Sequence, residues 1–122
     1  MSVIDTRVWV KDIDQMVAFY CKAFQAELLD QTETSAYLKI DDDTFEFILG
    51  LNTNMHSIAI QFVEEKDYQA CVANAKQYCE VTSSLSQRNS QNVYQSRLKD
   101  IEDNMVSLYH YQLYVPASIT LD

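Results

Sequence analysis

Polar and aromatic side chains alternate with apolar ones along three segments that have the two-residue period of β-strands. This alternation places the polar and aromatic members of each segment on one face of a sheet, opposite the apolar members. Flat rings combined with one cation and a few hydrogen-bonding groups suit a small organic ligand. We therefore predict a ligand pocket on this face. Its expected lining residues are Asp5, Arg7, Trp9, Glu46, Ser57, Gln61, Ser107, Tyr109 and Tyr111.

A second copy of the chain could instead cover the same face. Trp9, Tyr109 and Tyr111 would make an open sheet face too apolar to leave in water, and such rings are common anchors in protein interfaces. We expect a homodimer on this ground. Both interpretations of the face, ligand pocket and subunit contact, stay open here.

Within the pocket, Arg7 has two possible roles. As a poorly solvated cation it would complement an anionic or strongly polar group of the ligand. Paired internally with Asp5 or Glu46, it would only hold the sheet together. The sequence does not decide between these two roles.

The remaining chemistry-bearing residues do not form a recognisable catalytic set. The chain has 2 histidines and no nucleophile-elbow motif, so no Ser-His-Asp triad is indicated. His56 is one residue from Ser57, so it should point to the opposite strand face, and His110 should likewise point away from the pocket. The acidic run at 41–43 lacks the alternating oxygen ligands and the glycine of a calcium loop, and it predicts a hairpin turn.

Length and composition limit the classes of protein that are possible. The chain of 122 residues, with 48% apolar and 22% charged residues, predicts a single domain over 1–122. Its net charge of −9 repels phosphate backbones and anionic lipid, so we expect no nucleic-acid or membrane partner. The first residues lack the pattern of a signal peptide. The 3 cysteines have no metal-type spacing, so we expect reduced thiols in a cytoplasmic protein.

The elements that must position these residues occur in the same order in both halves of the chain. The first half predicts strands over 4–10, 26–31, 35–40 and 44–49, with a helix over about 13–25. The second half predicts strands over 57–63 and 105–112, a helix over about 66–79, and one or two strands within 80–98. The predicted fold is α+β, with tandem β-α-β-β-β modules that form a curved mixed sheet with the helices on its outer face. Module one covers about 1–52 and module two about 53–122.

Each predicted helix carries one apolar stripe and begins at a polar or acidic segment. Asp12 and Gln15 have the spacing of a capping box and should open the first helix. The first stripe comprises Ile13, Met16, Val17, Tyr20 and Phe24. The second comprises Tyr68, Cys71, Val72, Ala75 and Tyr78.

Three stretches resemble the vicinal oxygen chelate superfamily, which includes glyoxalases, extradiol dioxygenases, fosfomycin-resistance enzymes and bleomycin-binding proteins. They are RVWVKDIDQMVAFY at 7–20, SIAIQFV at 57–63 and KDIEDNMVSL at 99–108. The chain departs from that family where it usually has glycine, with Gln25 after the first helix and Asp103 in the last turn. Family members commonly build cavities between modules of paired subunits, which would reconcile the pocket with the subunit contact.

The resemblance also implies where a metal would bind. The family's ligand positions fall on Asp5, Glu46, Ser57 and Ser107 of this chain. Serine hydroxyls are poor ligands for zinc, iron, nickel or manganese, and two carboxylates with waters would hold a hard cation only weakly. We therefore expect no metal site and no cofactor.

These observations favour a metal-independent small-molecule-binding protein, similar in design to the bleomycin-resistance proteins and serving sequestration, resistance or sensing. The first alternative is an enzyme of glyoxalase, isomerase or dioxygenase type. It would use a weakly held divalent metal or an acid-base pair formed by Asp5 and Glu46. A purely structural dimer module is a third possibility. The sequence assigns no catalytic residue, and it leaves enzymatic activity open.

The serines at two of the four ligand positions generate a direct prediction about metal. The purified protein should contain no stoichiometric transition metal, and EDTA should leave its melting temperature unchanged. Elemental analysis and thermal melts with and without EDTA test this. One tightly bound zinc, nickel, iron or manganese per chain would contradict it.

Overall fold

The computed structural model describes residues 6–50, 57–85 and 93–111, and within them the side chains of residues 83–85, 93 and 111 are not described. The first module comprises β1 (Thr6–Val10), α1 (Ile13–Ala23), β2 (Glu27–Gln31), β3 (Ser35–Ile40) and β4 (Asp43–Leu49). The second comprises β5 (Ser57–Gln61), α2 (Glu65–Ala75), β6 (Glu80–Leu85), β7 (Val93–Lys99) and β8 (Met105–Tyr111).

Each module forms one four-stranded mixed sheet. The strand order is β1-β4-β3-β2 in the first sheet and β5-β8-β7-β6 in the second. In both sheets the opening strand pairs in parallel with the closing strand, and the other pairs are antiparallel. The predicted α+β class and the repeated element order are thereby confirmed. No helix in the described part of the chain is long and apolar enough to cross a membrane.

Helix α1 begins and ends at positions that its local sequence indicates. The Asp12 side chain accepts a hydrogen bond from the backbone N–H of Gln15 at 3.0 Å, which confirms the predicted cap. The stripe residues are buried, including Tyr20 and Phe24. The helix ends at Ala23, two residues earlier than predicted, because Gln25 adopts a left-handed φ of 56° that an α-helix cannot contain.

Helix α2 is shorter than its predicted range, and the prediction that Tyr78 belongs to its apolar stripe is wrong. Tyr68, Cys71, Val72 and Ala75 are buried, but Tyr78 lies beyond the helix and is 41% exposed. The N–H of Tyr78 bonds to the carbonyl of Ala75, three residues back, so the tighter turn rotates this side chain off the stripe. Its ring instead lies 5.0 Å from the amino group of Lys22.

The buried carboxylate of Asp100 joins the two modules. It lies in the turn between β7 and β8 and is 5% exposed. The Tyr20 hydroxyl, from α1, donates to its Oδ2 at 2.6 Å, and the Asn104 amide donates to the same oxygen at 3.1 Å. The backbone N–H groups of Glu102 and Asn104 donate to Oδ1 at 2.8 and 2.9 Å. Four donors therefore satisfy the charge inside the protein.

Carboxylates in the hairpin turns also tie each module to the other. Asp43 in the first module accepts from the N–H of Gln61 at 2.7 Å, and Asp41 accepts from that of Val63 at 2.9 Å. In the second module, the Glu102 carboxylate accepts a hydrogen bond at 2.9 Å from the N–H of Lys11 in the first module. The predicted hairpin turn at 41–43 is confirmed, with Asp41 at a φ of 54°. Each turn therefore satisfies backbone donors at the end of the other module's opening strand.

The Asp100 contacts predict a large loss of stability when the carboxylate is removed. Asp100→Ala should lower the free energy of unfolding by about 3 kcal/mol or more, because several buried donors lose their acceptor. Tyr20→Phe should cost about 1–2 kcal/mol, because it removes one hydrogen bond to a charged group. Urea unfolding measures both changes. Glu33→Ala, at an exposed position, is the control, and an equal effect of Asp100→Ala and Glu33→Ala would contradict the assignment.

Candidate functional site

The face of the first sheet that points away from the helices carries polar and aromatic side chains. Val8, Val10, Phe45 and Phe47 are buried on the helix side. Strand alternation places their neighbours on the opposite face. We call this surface the first open face, and it comprises Arg7, Trp9, Tyr37, Lys39, Glu46 and Ile48.

Glu46 is the centre of the first open face. Arg7 on β1 and Tyr37 on β3 lie opposite it in register, so three strands contribute to one row. The Glu46 carboxylate is buried, and its Oε1 lies 3.2 Å from the Nε of Arg7. A hydrogen bond from the Tyr37 hydroxyl to Glu46 is the main cause that raises the pKa of Tyr37 above its ordinary value. Tyr37 therefore remains a protonated donor at neutral pH.

The position of Arg7 corrects the expectation of a poorly solvated cation that waits for a ligand. Its side chain is 70% exposed, and it pairs internally with Glu46. The pair forms because the parallel register of β1 and β4 sets the two residues side by side. The internal partner considered from the sequence is thus present, and water reaches most of the guanidinium group.

Trp9 lies against the only glycine of the chain. A β-carbon on Gly50 would clash with ring atoms Cε3 and Cζ3 of Trp9, so a side chain at this position would displace the indole. The N–H of Gly50 donates to the carbonyl of Val10 at 3.0 Å, which fixes the glycine beneath the ring. Trp9 is 45% exposed, so a supported indole surface remains available for stacking.

The second sheet has an equivalent surface, which we call the second open face. Ile58, Leu98, Val106 and Leu108 are buried on its helix side. The opposite side carries Ser57, Ala59 and Gln61 from β5, Met105, Ser107 and Tyr109 from β8, and Gln95, Arg97 and Lys99 from β7. In register these side chains form three rows across the three strands.

The predicted pocket residues are therefore divided between two sheets. Arg7, Trp9 and Glu46 lie on the first open face. Ser57, Gln61, Ser107 and Tyr109 lie on the second. Asp5 lies outside the described residues, as does the side chain of Tyr111. That all of them line one pocket stays a prediction.

Two cavities occur elsewhere in the described part of the chain. One, of about 610 Å³, lies beside the start of α1 and the turn between β2 and β3. The other, of about 190 Å³, lies between Phe24, Phe62 and Cys71. Neither is lined by a predicted pocket residue.

His110 is a structural residue. It is buried, and its Nδ1 lies 3.0 Å from the carbonyl oxygen of Phe62. Its ring stacks on that of Tyr94, with 6.4 Å between centroids. The prediction that His110 points away from the pocket face is confirmed, whereas His56 lies outside the described residues.

The described donors do not fit a tightly bound transition metal. Glu46 already receives the guanidinium of Arg7, and a cation beside it would be repelled by that charge. Ser57 and Ser107 offer only hydroxyl groups at the family's other described positions. Within the described ranges, no three His, Cys, Asp or Glu side chains are grouped as a metal site would require.

The cysteines do not provide a nucleophile either. All three are free, and Cys71 is buried. Burial raises the pKa of the Cys71 thiol to about 12 and that of Cys79 to about 11, and it also raises the pKa of Cys21. The thiolate is the reactive form, so these side chains remain unreactive at neutral pH.

The Arg7–Glu46 pair predicts a measurable loss of stability. Arg7→Ala should cost about 1–2 kcal/mol, less than a fully buried pair, because it removes the counter-charge of a buried carboxylate that retains Tyr37. Lys66→Ala is the matched control, since Lys66 and Glu64 form an exposed pair at 3.9 Å. Urea unfolding should show less than about 0.5 kcal/mol for that control. Equal losses in the two variants would contradict a structural role for Arg7.

Comparison with solved structures gives neighbours over almost the entire chain. TioX from Micromonospora sp. ML1 is 11% identical with a TM-score of 0.71, and the match covers 94% of this chain and 100% of TioX. Lactoylglutathione lyase from Agrobacterium tumefaciens is 13% identical with a TM-score of 0.71, over 89% of this chain and 92% of that protein. The fosfomycin resistance protein FosX from Listeria monocytogenes, in complex with Mn(II) and sulfate, is 16% identical with a TM-score of 0.70. The match covers 92% of this chain and 91% of FosX.

The sequence itself identifies the family. No curated protein matches the chain significantly. The sequence model of the Glyoxalase/Bleomycin resistance protein/Dioxygenase superfamily, however, matches residues 3–113, which is most of the chain. The structural neighbours share the paired β-α-β-β-β fold described above. The chain therefore belongs to the glyoxalase/bleomycin resistance protein/dioxygenase superfamily.

Proposed function

We propose that this chain is a metal-independent binding protein for a small organic molecule, and that it acts in the cytoplasm as a homodimer in sequestration, resistance or sensing. The observation that carries the proposal is the state of the first open face. Its buried carboxylate, Glu46, is already neutralised by Arg7 and bonded to Tyr37, while the Trp9 ring beside it is supported and half-exposed. Such a face suits an organic body better than a metal ion.

A comparison with a structural neighbour that contains a metal supports the proposal that this chain binds none. One FosX structure contains Mn(II). This chain has serines at two of the positions that the family uses for metal ligands, Ser57 and Ser107, and a guanidinium group beside a third, Glu46. A protein that keeps this fold but has other residues at the metal-ligand positions keeps its ligand-binding surfaces and does not hold the metal ion.

An enzymatic function is the alternative, and one observation favours it. Glu46 is a buried carboxylate hydrogen-bonded to a hydroxyl group, an arrangement found in general acid-base catalysis. Lactoylglutathione lyase is among the structural neighbours. In this alternative, Asp5 would act together with Glu46, or both would hold a weakly bound divalent metal.

The chain has a single tryptophan, so the proposed site carries its own reporter. We expect some compounds of a small-molecule library to quench Trp9 fluorescence and to raise the melting temperature equally with and without EDTA. A ligand at one hundred times its Kd stabilises the folded state by about 2.7 kcal/mol. Trp9→Ala should abolish the thermal shift caused by the compounds that quench its fluorescence. Tyr78→Ala is the matched control, because Tyr78 is an exposed ring away from both open faces.

The outcomes separate the candidate functions. Stabilisation that requires added divalent metal would favour the enzyme. Unchanged ligand affinity in Trp9→Ala would remove the first open face from the site. A library that yields no stabilising compound would leave the structural dimer module as the better account.

A further inference from the structure

Two cations on the second open face form no ion pair with another described residue. Arg97 and Lys99 lie two residues apart on β7, so both side chains point to the same face of the sheet. Among the described residues, ion pairs within 4.0 Å join Arg7 to Glu46 and Lys66 to Glu64. Neither Arg97 nor Lys99 takes part in one. Glu80 lies opposite Lys99 in register, yet it forms no such pair.

Arg97 and Lys99 form a cluster of two cations on one face of the second sheet. Acidic residues outnumber basic ones by 18 to 9, so carboxylates are abundant. Two like charges about 7 Å apart along a strand repel each other and gain nothing from the fold. By contrast, the fold neutralises Arg7, the one arginine of the first open face. Arg97 and Lys99 together can therefore receive a negative charge from outside the chain.

The surrounding side chains shape a place for an organic anion. Arg97, Ser107 and Ala59 lie in one row across β7, β8 and β5. The two short side chains leave a low strip that runs from the guanidinium group. Tyr109 lies in the row on one side of this strip and Met105 in the row on the other. A flat apolar body could lie along the strip with its charged end at Arg97.

We propose that Arg97 and Lys99 make the second open face a recognition site for the carboxylate of a small organic anion. Arg97 donates to the carboxylate, Ser107 adds a hydroxyl group, and Lys99 contributes positive charge. Tyr109 and Met105 contact the body of the ligand. This inference rests on the proposed function and names the chemistry of its ligand.

Titration of the 15N-labelled chain with benzoate and with its uncharged isostere benzamide, followed by NMR, tests the proposal. Benzoate should shift the amide signals of β7 and β8 saturably and bind at least about tenfold more tightly than benzamide. Arg97→Gln should weaken benzoate about tenfold, the lower end for a hydrogen bond to a charged group. Lys76→Gln removes the same charge from the end of α2 and should leave the affinity unchanged. Because Arg97 is exposed, its variant should keep the urea midpoint of the parent.

Three results would overturn the inference. Equal affinity for benzoate and benzamide would leave the proposed function standing, because a small molecule still binds, but would remove the carboxylate from recognition. Absence of benzoate binding, in a protein that a neutral library compound stabilises, would do the same. A change in oligomeric state in Arg97→Gln, without a change in benzoate affinity, would assign the cations to the subunit contact. If no compound of any class binds, the proposed function itself fails.

Discussion

The Asp100 carboxylate, together with the Tyr20 hydroxyl that bonds to it, is the interaction on which the arrangement of the two modules depends. A buried charge is tolerated only when its lone pairs are satisfied, and four donors from α1 and from its own turn meet that need. The same turn includes Asp103, at a left-handed φ of 65°, and directs Glu102 to the backbone after β1. One buried anion thus fixes a helix, a turn and a contact between modules.

This arrangement directs the apolar residues toward the helices and leaves the opposite face of each sheet uncovered by the helices. The rings of Tyr20, Phe24, Phe45 and Phe47 pack together, with centroids 5.0–5.6 Å apart for the pairs with Tyr20. Stability therefore comes from the helix-covered side. The open faces are released from core packing, and they can carry Trp9 and unpaired cations that a core would exclude. The two faces differ in how their arginines are paired, because Arg7 forms an ion pair with Glu46 and Arg97 forms none with a described residue.

Local signals were sufficient for much of the fold. Alternation predicted β1, β5 and β8, and the spacing of Asp12 and Gln15 located the start of α1, because these features depend on neighbours within a few residues. The resemblance placed Gln25 and Asp103 where the family has glycine, and both have positive φ. The prediction for Tyr78 is wrong because a turn with a hydrogen bond three residues back ends the apolar stripe early. Such a turn has no periodic pattern in the sequence.

The candidate site is harder to predict from the sequence than the fold. The contacts that determine its chemistry join residues far apart in the chain. The partner of Arg7 depends on the register between β1 and β4, which the sequence does not encode in any short pattern. The sequence-based prediction does not single out Arg97, which lies in the polar stretch 80–98, or Lys99, which begins the stretch 99–108, although both belong to β7. The alternation of Gln95, Arg97 and Lys99 with Ser96 and Leu98 was the available signal, but a single large apolar residue made it weak. The role of Gly50 follows only from the ring that lies on it.

The central claim is that this member of the superfamily binds an organic molecule on its open sheet faces without a metal. A crystal structure of the protein with a compound identified by screening, recorded at wavelengths that reveal transition metals by anomalous scattering, tests it most directly. The account predicts ligand density against Trp9 or along the Arg97–Ser107 row, an intact Arg7–Glu46 pair and no anomalous peak. An anomalous peak on Glu46, with Arg7 displaced from it, would contradict the account.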